Sequence, residues 1–145
     1  MATADGNGLI EGLRPFIPPG AYQMRLIDWK TVMYNGRQPK VVLQLAVCSN
    51  GYMGTPLERW YNATRLIGKV GRHGGFAAPG SGDLLFEYVD ITGNSPRRSD
   101  RINLSHLGDR LLLGHVETVV KNQRQRVRPI DLRYSVVRRL EKATV

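Results

Sequence analysis

A single cysteine, Cys48, leaves no internal disulfide and no cysteine-based zinc site to consider. No run of about 18 apolar residues is present, which argues against a membrane-spanning helix. The opening MATADGNGLIEG lacks the basic-then-apolar order of a secretory signal, so a cytoplasmic protein is expected. Paired catalytic groups are also missing. Asp28, Asp83, Asp90, Asp100 and Asp109 fall in separate turns or strand ends, and His73, His106 and His115 lie too far apart for a His-x-x-x-His metal spacing. In Gly68-Lys69-Val70-Gly71 the lysine precedes valine, and Gly80-Ser81-Gly82 lacks both a phosphate-loop lysine and the flanks of a nucleophile elbow. These absences point away from an enzyme and from any cofactor.

Negative charge is scarce as well, with 12 Asp+Glu against 21 Lys+Arg and a formal net charge of +9 over 145 residues. Such an imbalance suits a polyanionic partner, although it also serves solubility alone. The length suits one domain, read here as residues 13–145 behind a small, polar, Gly-rich leader over residues 1–12.

What the chain does contain begins with a hairpin over residues 20–47. Tyr22, Met24 and Leu26 alternate with Gln23 and Arg25, while Val41, Leu43, Leu45 and Val47 alternate with Val42, Gln44 and Ala46. This period of two sends one row to a core and the other to an open face. Asn35-Gly36 supplies the reversal. Leu57–Asn62 reads as a third strand of a meander, Asn62 as the cap of a short helix over 63–70, and Gly71–Gly82 as a loop that is mobile or ordered by a ligand. Strands are expected over 83–91, 111–120 and 130–140. The last two flank a basic finger, Lys121–Arg128, whose Thr118-Val119-x-x-Asn122-x-Arg124-Gln125 echoes Thr31-Val32-x-x-Asn35-x-Arg37-Gln38. Two similar basic tips follow from that echo.

Aromatics interleave with the cations. Trp29, Tyr34, Trp60 and Tyr61 lie near Arg25, Lys30, Arg37, Lys40, Arg59, Arg65, Lys69 and Arg72, and the finger adds Lys121, Arg124, Arg126 and Arg128. Stacking plus phosphate pairing is how single strands are commonly held. By alternation Arg25 and Trp29 would share the open face, though each tryptophan also suits the core or rim of a small barrel.

Several short strands, one small helix and a late hairpin suggest an all-β, OB-like barrel with long basic hairpins. Pro18-Pro19-Gly20-Ala21-Tyr22, the apolar run Lys40–Val47, and Gly51-Tyr52-Met53-Gly54 leading to Trp60-Tyr61-Asn62 resemble the small OB-fold proteins that phages and other mobile elements encode beside replication and recombination genes. The resemblance covers roughly the first half of the chain. It implies single-stranded DNA binding. The same residues would serve RNA as a rival ligand, a replication or recombination protein is a candidate partner, and homo-oligomers of no fixed number suit a basic barrel. The ending Lys142-Ala143-Thr144-Val145 departs from the acidic tail of many general single-strand binders, and the basic finger is an addition. An accessory subunit or inhibitor that docks on a replication or host-defence protein is the alternative.

Overall fold

The computed structural model describes residues 14–49, 51–122 and 124–143, so the expected leader lies outside the described residues. Strands β1 (Gly20–Tyr34) and β2 (Gln38–Val47) form the expected hairpin, and Asn35 and Gly36 take φ of 53° and 68° at its turn. Strand β3 (Pro56–Asn62) completes the meander. A small hairpin, β4 (Arg65–Ile67) with β5 (Gly75–Ala77), precedes helix α1 (Asp83–Thr92). Strands β6 (Leu112–Val119) and β7 (Tyr134–Lys142) finish a five-stranded antiparallel sheet ordered β3-β2-β1-β6-β7.

Three expectations are corrected. No helix forms over 63–70: Asn62 Oδ1 accepts from Lys40 Nζ instead of capping, and Gly68 at φ 72° turns β4 back toward β5. Residues 83–91 are helical, because Leu84, Glu87, Tyr88 and Ile91 are the buried set and that spacing is one face of a 3.6-residue period. The helix stops at Gly93, whose N–H reaches the Val89 carbonyl at 2.8 Å with φ 72°. Finally, Ile130–Leu132 is a 3-10 turn, and strand pairing begins only at Tyr134.

Phase within the sheet is set by two bulges. Ile27 is an extra residue between the pairs Leu26–Leu45 and Asp28–Gln44, so the inward row changes from Tyr22, Met24 and Leu26 to Trp29 and Thr31. Arg138 plays the same part in β7, between the pairs Val116–Val137 and His115–Arg139, and moves the inward row from Ser135 and Val137 to Leu140. A bulge also bends and twists its strand, which curls the sheet around a core that includes Met24, Leu43, Leu45, Leu57, Leu112 and Leu140. Each such side chain contributes about 1.5–3 kcal/mol by leaving water.

The sheet does not close into a hydrogen-bonded barrel. Edge strands β3 and β7 come within 8 Å, Cα to Cα, with no ladder between them. A carboxylate from α1 fills the seam. Glu87 Oε1 accepts from the Tyr61 hydroxyl at 2.7 Å, Arg59 Nε at 3.3 Å and the Leu140 N–H at 2.9 Å, while Oε2 accepts from Arg59 Nη2 at 2.6 Å. Glu87 thus ties both edges to the helix.

Of the stretch Gly71–Gly82 expected as a loop, Gly75–Ala77 is instead strand β5, and the residues between β4 and β5 are hydrogen-bonded to β1. The Thr31 N–H donates to the Gly71 carbonyl at 2.9 Å, and the Gly71 N–H returns to Thr31 Oγ1 at 3.1 Å. At Gly74 a Cβ would lie 2.8 Å from the Lys69 carbonyl oxygen, so only glycine allows this approach.

Candidate nucleic-acid interface

The outward rows of β1, β2, β3 and β7 form the floor of a groove of about 790 Å³. Lys30 and Tyr34 come from β1, Gln44 from β2, Glu58 and Trp60 from β3, and Tyr134, Val136 and Arg138 from β7. Val42 stands opposite both Lys30 and Trp60 and is fully buried, although it belongs to the outward row. The side chains above it therefore cover the floor.

Three aromatic side chains line this groove. Tyr34 and Trp60 meet edge to face, centroids 5.9 Å apart at 76°, and Trp60 Nε1–H donates to Glu58 Oε1 at 3.1 Å, which fixes the indole's orientation. Tyr134 carries two guanidinium groups, Arg14 at 4.3 Å and Arg128 at 5.2 Å from its ring centroid. Neither arginine pairs with a carboxylate among the described residues. With Lys30, Lys121 and Arg138 they give the lining five cations against the one carboxylate of Glu58.

Two local devices hold the flanks. Ser135 takes the Ile17 N–H on its Oγ at 2.8 Å, returns its hydroxyl to the Ile17 carbonyl at 3.0 Å, and donates its own N–H to the Pro15 carbonyl at 2.9 Å. That anchors Arg14 beside β7. At the finger, Asn122 Oδ1 accepts from the backbone of Arg124 at 2.9 Å and Arg126 at 3.1 Å, a side-chain turn of the kind asparagine favours. Asn35 and Asn122 therefore both organise connector tips.

Of the residues expected from sequence, Lys30, Tyr34, Trp60, Lys121 and Arg128 line the groove. Arg37 sits exposed at one tip, and Arg124 and Arg126 at the other. Lys40 is held by Asn62 beside the first tip. Arg25, Arg65 and Lys69 are exposed but are not part of the lining. Three residues lie on the core side instead, Trp29 half-buried and Arg59 and Tyr61 buried. Trp29 packs against the core, stacked on His73 at 5.1 Å and edge-on to Phe76 at 5.9 Å, because the Ile27 bulge reverses its face. Arg59 and Tyr61 point inward on β3 and are buried, with Arg59 4.2 Å from the Tyr61 ring centroid.

Burial is the largest single influence on Arg59 and works against its charge, yet the hydrogen bonds to Glu87 together with the charges of Tyr61, Glu87 and Asp83 outweigh it and raise the pKa. Burial, and then the Glu87 charge, pushes the Tyr61 hydroxyl well above its ordinary range. Arg72 is also occupied: its Nε donates to Asp28 Oδ2 at 2.8 Å, and His73 Nε2 lies 2.6 Å from Asp28 Oδ1. The Arg72 hydrogen bond, then the Trp29 N–H and His73, lower the Asp28 pKa to about 2.

Sequence reasoning missed Arg14, Tyr134 and Arg138. Alternation of Tyr134, Val136 and Arg138 against Ser135 and Val137 was a usable signal for the outward row of β7. Nothing local marks Arg14, which is brought in by the Ser135 clamp. Among the described residues no group of three or more His, Cys, Asp or Glu could hold a metal ion, and no helix is long and apolar enough to cross a membrane. Compared with known proteins, the chain matches no family model, no curated protein and no solved structure.

Proposed function

We propose that this protein binds single-stranded DNA without catalysis, on an OB-type barrel, in the replication or recombination of a phage, plasmid or integrated element. The observation that carries the reading is the groove, in which Trp60, Tyr34 and Tyr134 stand among five cations. Every base has a π face, so an exposed aromatic can stack any of them for about 1–3 kcal/mol, while the cations take the phosphates.

The architecture supports the same reading. β1 sits between β2 and β6, a helix separates the third long strand from the fourth, and β3 and β7, both antiparallel to a neighbour of β1, run in the same direction at the seam. An OB-fold is built this way, and it takes oligonucleotides on its second and third strands between two connecting loops. Here that face is β2 and β3, between the tips at Asn35 and Asn122.

Fluorescence anisotropy against labelled single-stranded DNA, duplex DNA and RNA of one length, at low and near-physiological salt, tests the proposal. Single-strand binding that persists at the higher salt is expected. Equal binding to all three that vanishes with salt would overturn it and favour a protein partner. Preference for RNA would move the ligand class but keep the groove.

A further inference from the structure

Two exposed patches, one on α1 and one on the part of the finger that lies beyond the groove lining, are opposite in charge. On α1, Asp83, Phe86 and Asp90 face outward, and the helix holds no lysine or arginine. Phe86 is 71% exposed even though Leu84, Tyr88 and Ile91 already supply the helix's buried face. Leu85, Phe86 and Val89, with Gly80–Gly82, border a shallow hollow of about 430 Å³. In a chain of net charge +9 this is an acidic, apolar island. The finger before β7 is its complement. Val127 and Ile130 are 63% and 78% exposed, beside the exposed Arg124 and Arg126, and the 3-10 turn at Ile130–Leu132 buries none of its residues.

The two patches do not serve each other within one molecule. The finger enters β7 at Tyr134, whereas α1 reaches β7 at Leu140, and six residues of strand separate such points by about 20 Å. We infer that copies of this chain associate head to tail, the basic, apolar finger of one copy seating on the acidic, apolar face of α1 in the next. Complementary patches at different places on one surface make a heterologous contact, which propagates along a polymer instead of closing as a dimer. A ligand that is itself a polymer would then be covered cooperatively, and only that consequence rests on the single-strand reading.

The test uses the full chain. In sedimentation velocity without DNA, at low salt and increasing concentration, the wild type should form species larger than a dimer. Phe86→Glu and Ile130→Glu should each stay monomeric, with dissociation constants raised at least about tenfold. Mixed in equal amounts they should form a dimer and nothing larger, because each copy keeps the one patch its partner has lost. Asp90→Lys replaces Phe86→Glu if the latter lowers the melting temperature. A wild type that stays monomeric, either variant assembling alone as the wild type does, or a mixture without dimers would each overturn the inference. Both variants should bind a short single-stranded oligonucleotide as the wild type does, while losing cooperativity on a long strand. If the wild type fails on the short oligonucleotide, the single-strand reading fails while the sedimentation result stands by itself.

Discussion

Two tyrosines each carry arginine over the ring and are placed in opposite surroundings. In the β3/β7 seam Arg59 lies over Tyr61, both buried, with the guanidinium charge taken up by Glu87 at 2.6 Å. At the groove the exposed Arg14 and half-buried Arg128 lie on the half-buried Tyr134, with no carboxylate partner among the described residues. The same chemistry is structural where its charge is neutralised and available to a ligand where it is not. What separates them is the direction of a side chain on its strand: Arg59 and Tyr61 belong to the inward row of β3, and Tyr134 to the outward row of β7.

The sharpest way to break this comparison is at the seam. Glu87→Ala leaves the buried Arg59 with only the exposed Asp83 carboxylate, 3.6 Å away, as counter-charge and the Leu140 N–H without its acceptor, so unfolding by denaturant should show a loss of about 3–5 kcal/mol. A loss below about 1 kcal/mol would mean that water replaces the carboxylate and that the seam is not what ties the edges together.

At the groove the same kind of truncation should act on affinity more than on stability. Tyr134→Ala or Trp60→Ala should weaken single-strand binding by about 1–3 kcal/mol, read by anisotropy, with a loss of stability well below that of Glu87→Ala. Lys121→Ala combined with Arg128→Ala should act on salt dependence, lowering the slope of log K against log salt by about 1.4 for two lost phosphate contacts. An unchanged slope would place the strand elsewhere.

Between these extremes lies Asp28, a carboxylate held by Arg72 and His73 at the surface. Its pKa falls from 3.8 to about 2 on folding, so the folded state favours the charged form. That stabilisation is fully present above about pH 4 and is lost as the pH falls toward 2. Melting temperatures of wild type and Asp28→Asn should therefore differ at neutral pH and converge in acid. Parallel curves would show that the Asp28 contacts are not linked to folding.

The hairpin of β1 and β2 was legible because its alternation and its Asn-Gly turn agree. Trp29 was not, since a single inserted residue, Ile27, reverses the face of everything after it and carries no composition signal. Helix α1 was misread because a nine-residue stretch of six apolar and three acidic residues is compatible with either element, and only its buried glutamate, set by partners on β3 and β7, makes the helical period visible. Arg14 and Tyr134 meet through a contact spanning most of the chain, beyond the reach of local pattern. Of the eight aromatic and cationic residues that line the groove, Arg14 is therefore the one whose place depended wholly on tertiary structure.

The most direct measurement uses the chain's two tryptophans, one assigned to each environment. Trp29→Phe leaves Trp60 as the only indole, and Trp60→Phe leaves Trp29. On titration with single-stranded DNA, the fluorescence of the Trp29→Phe protein should be quenched as bases stack on Trp60, and that of the Trp60→Phe protein should stay nearly constant. Quenching in the second protein and not in the first would contradict the account, because the strand would then lie against the Trp29–His73 side of the sheet.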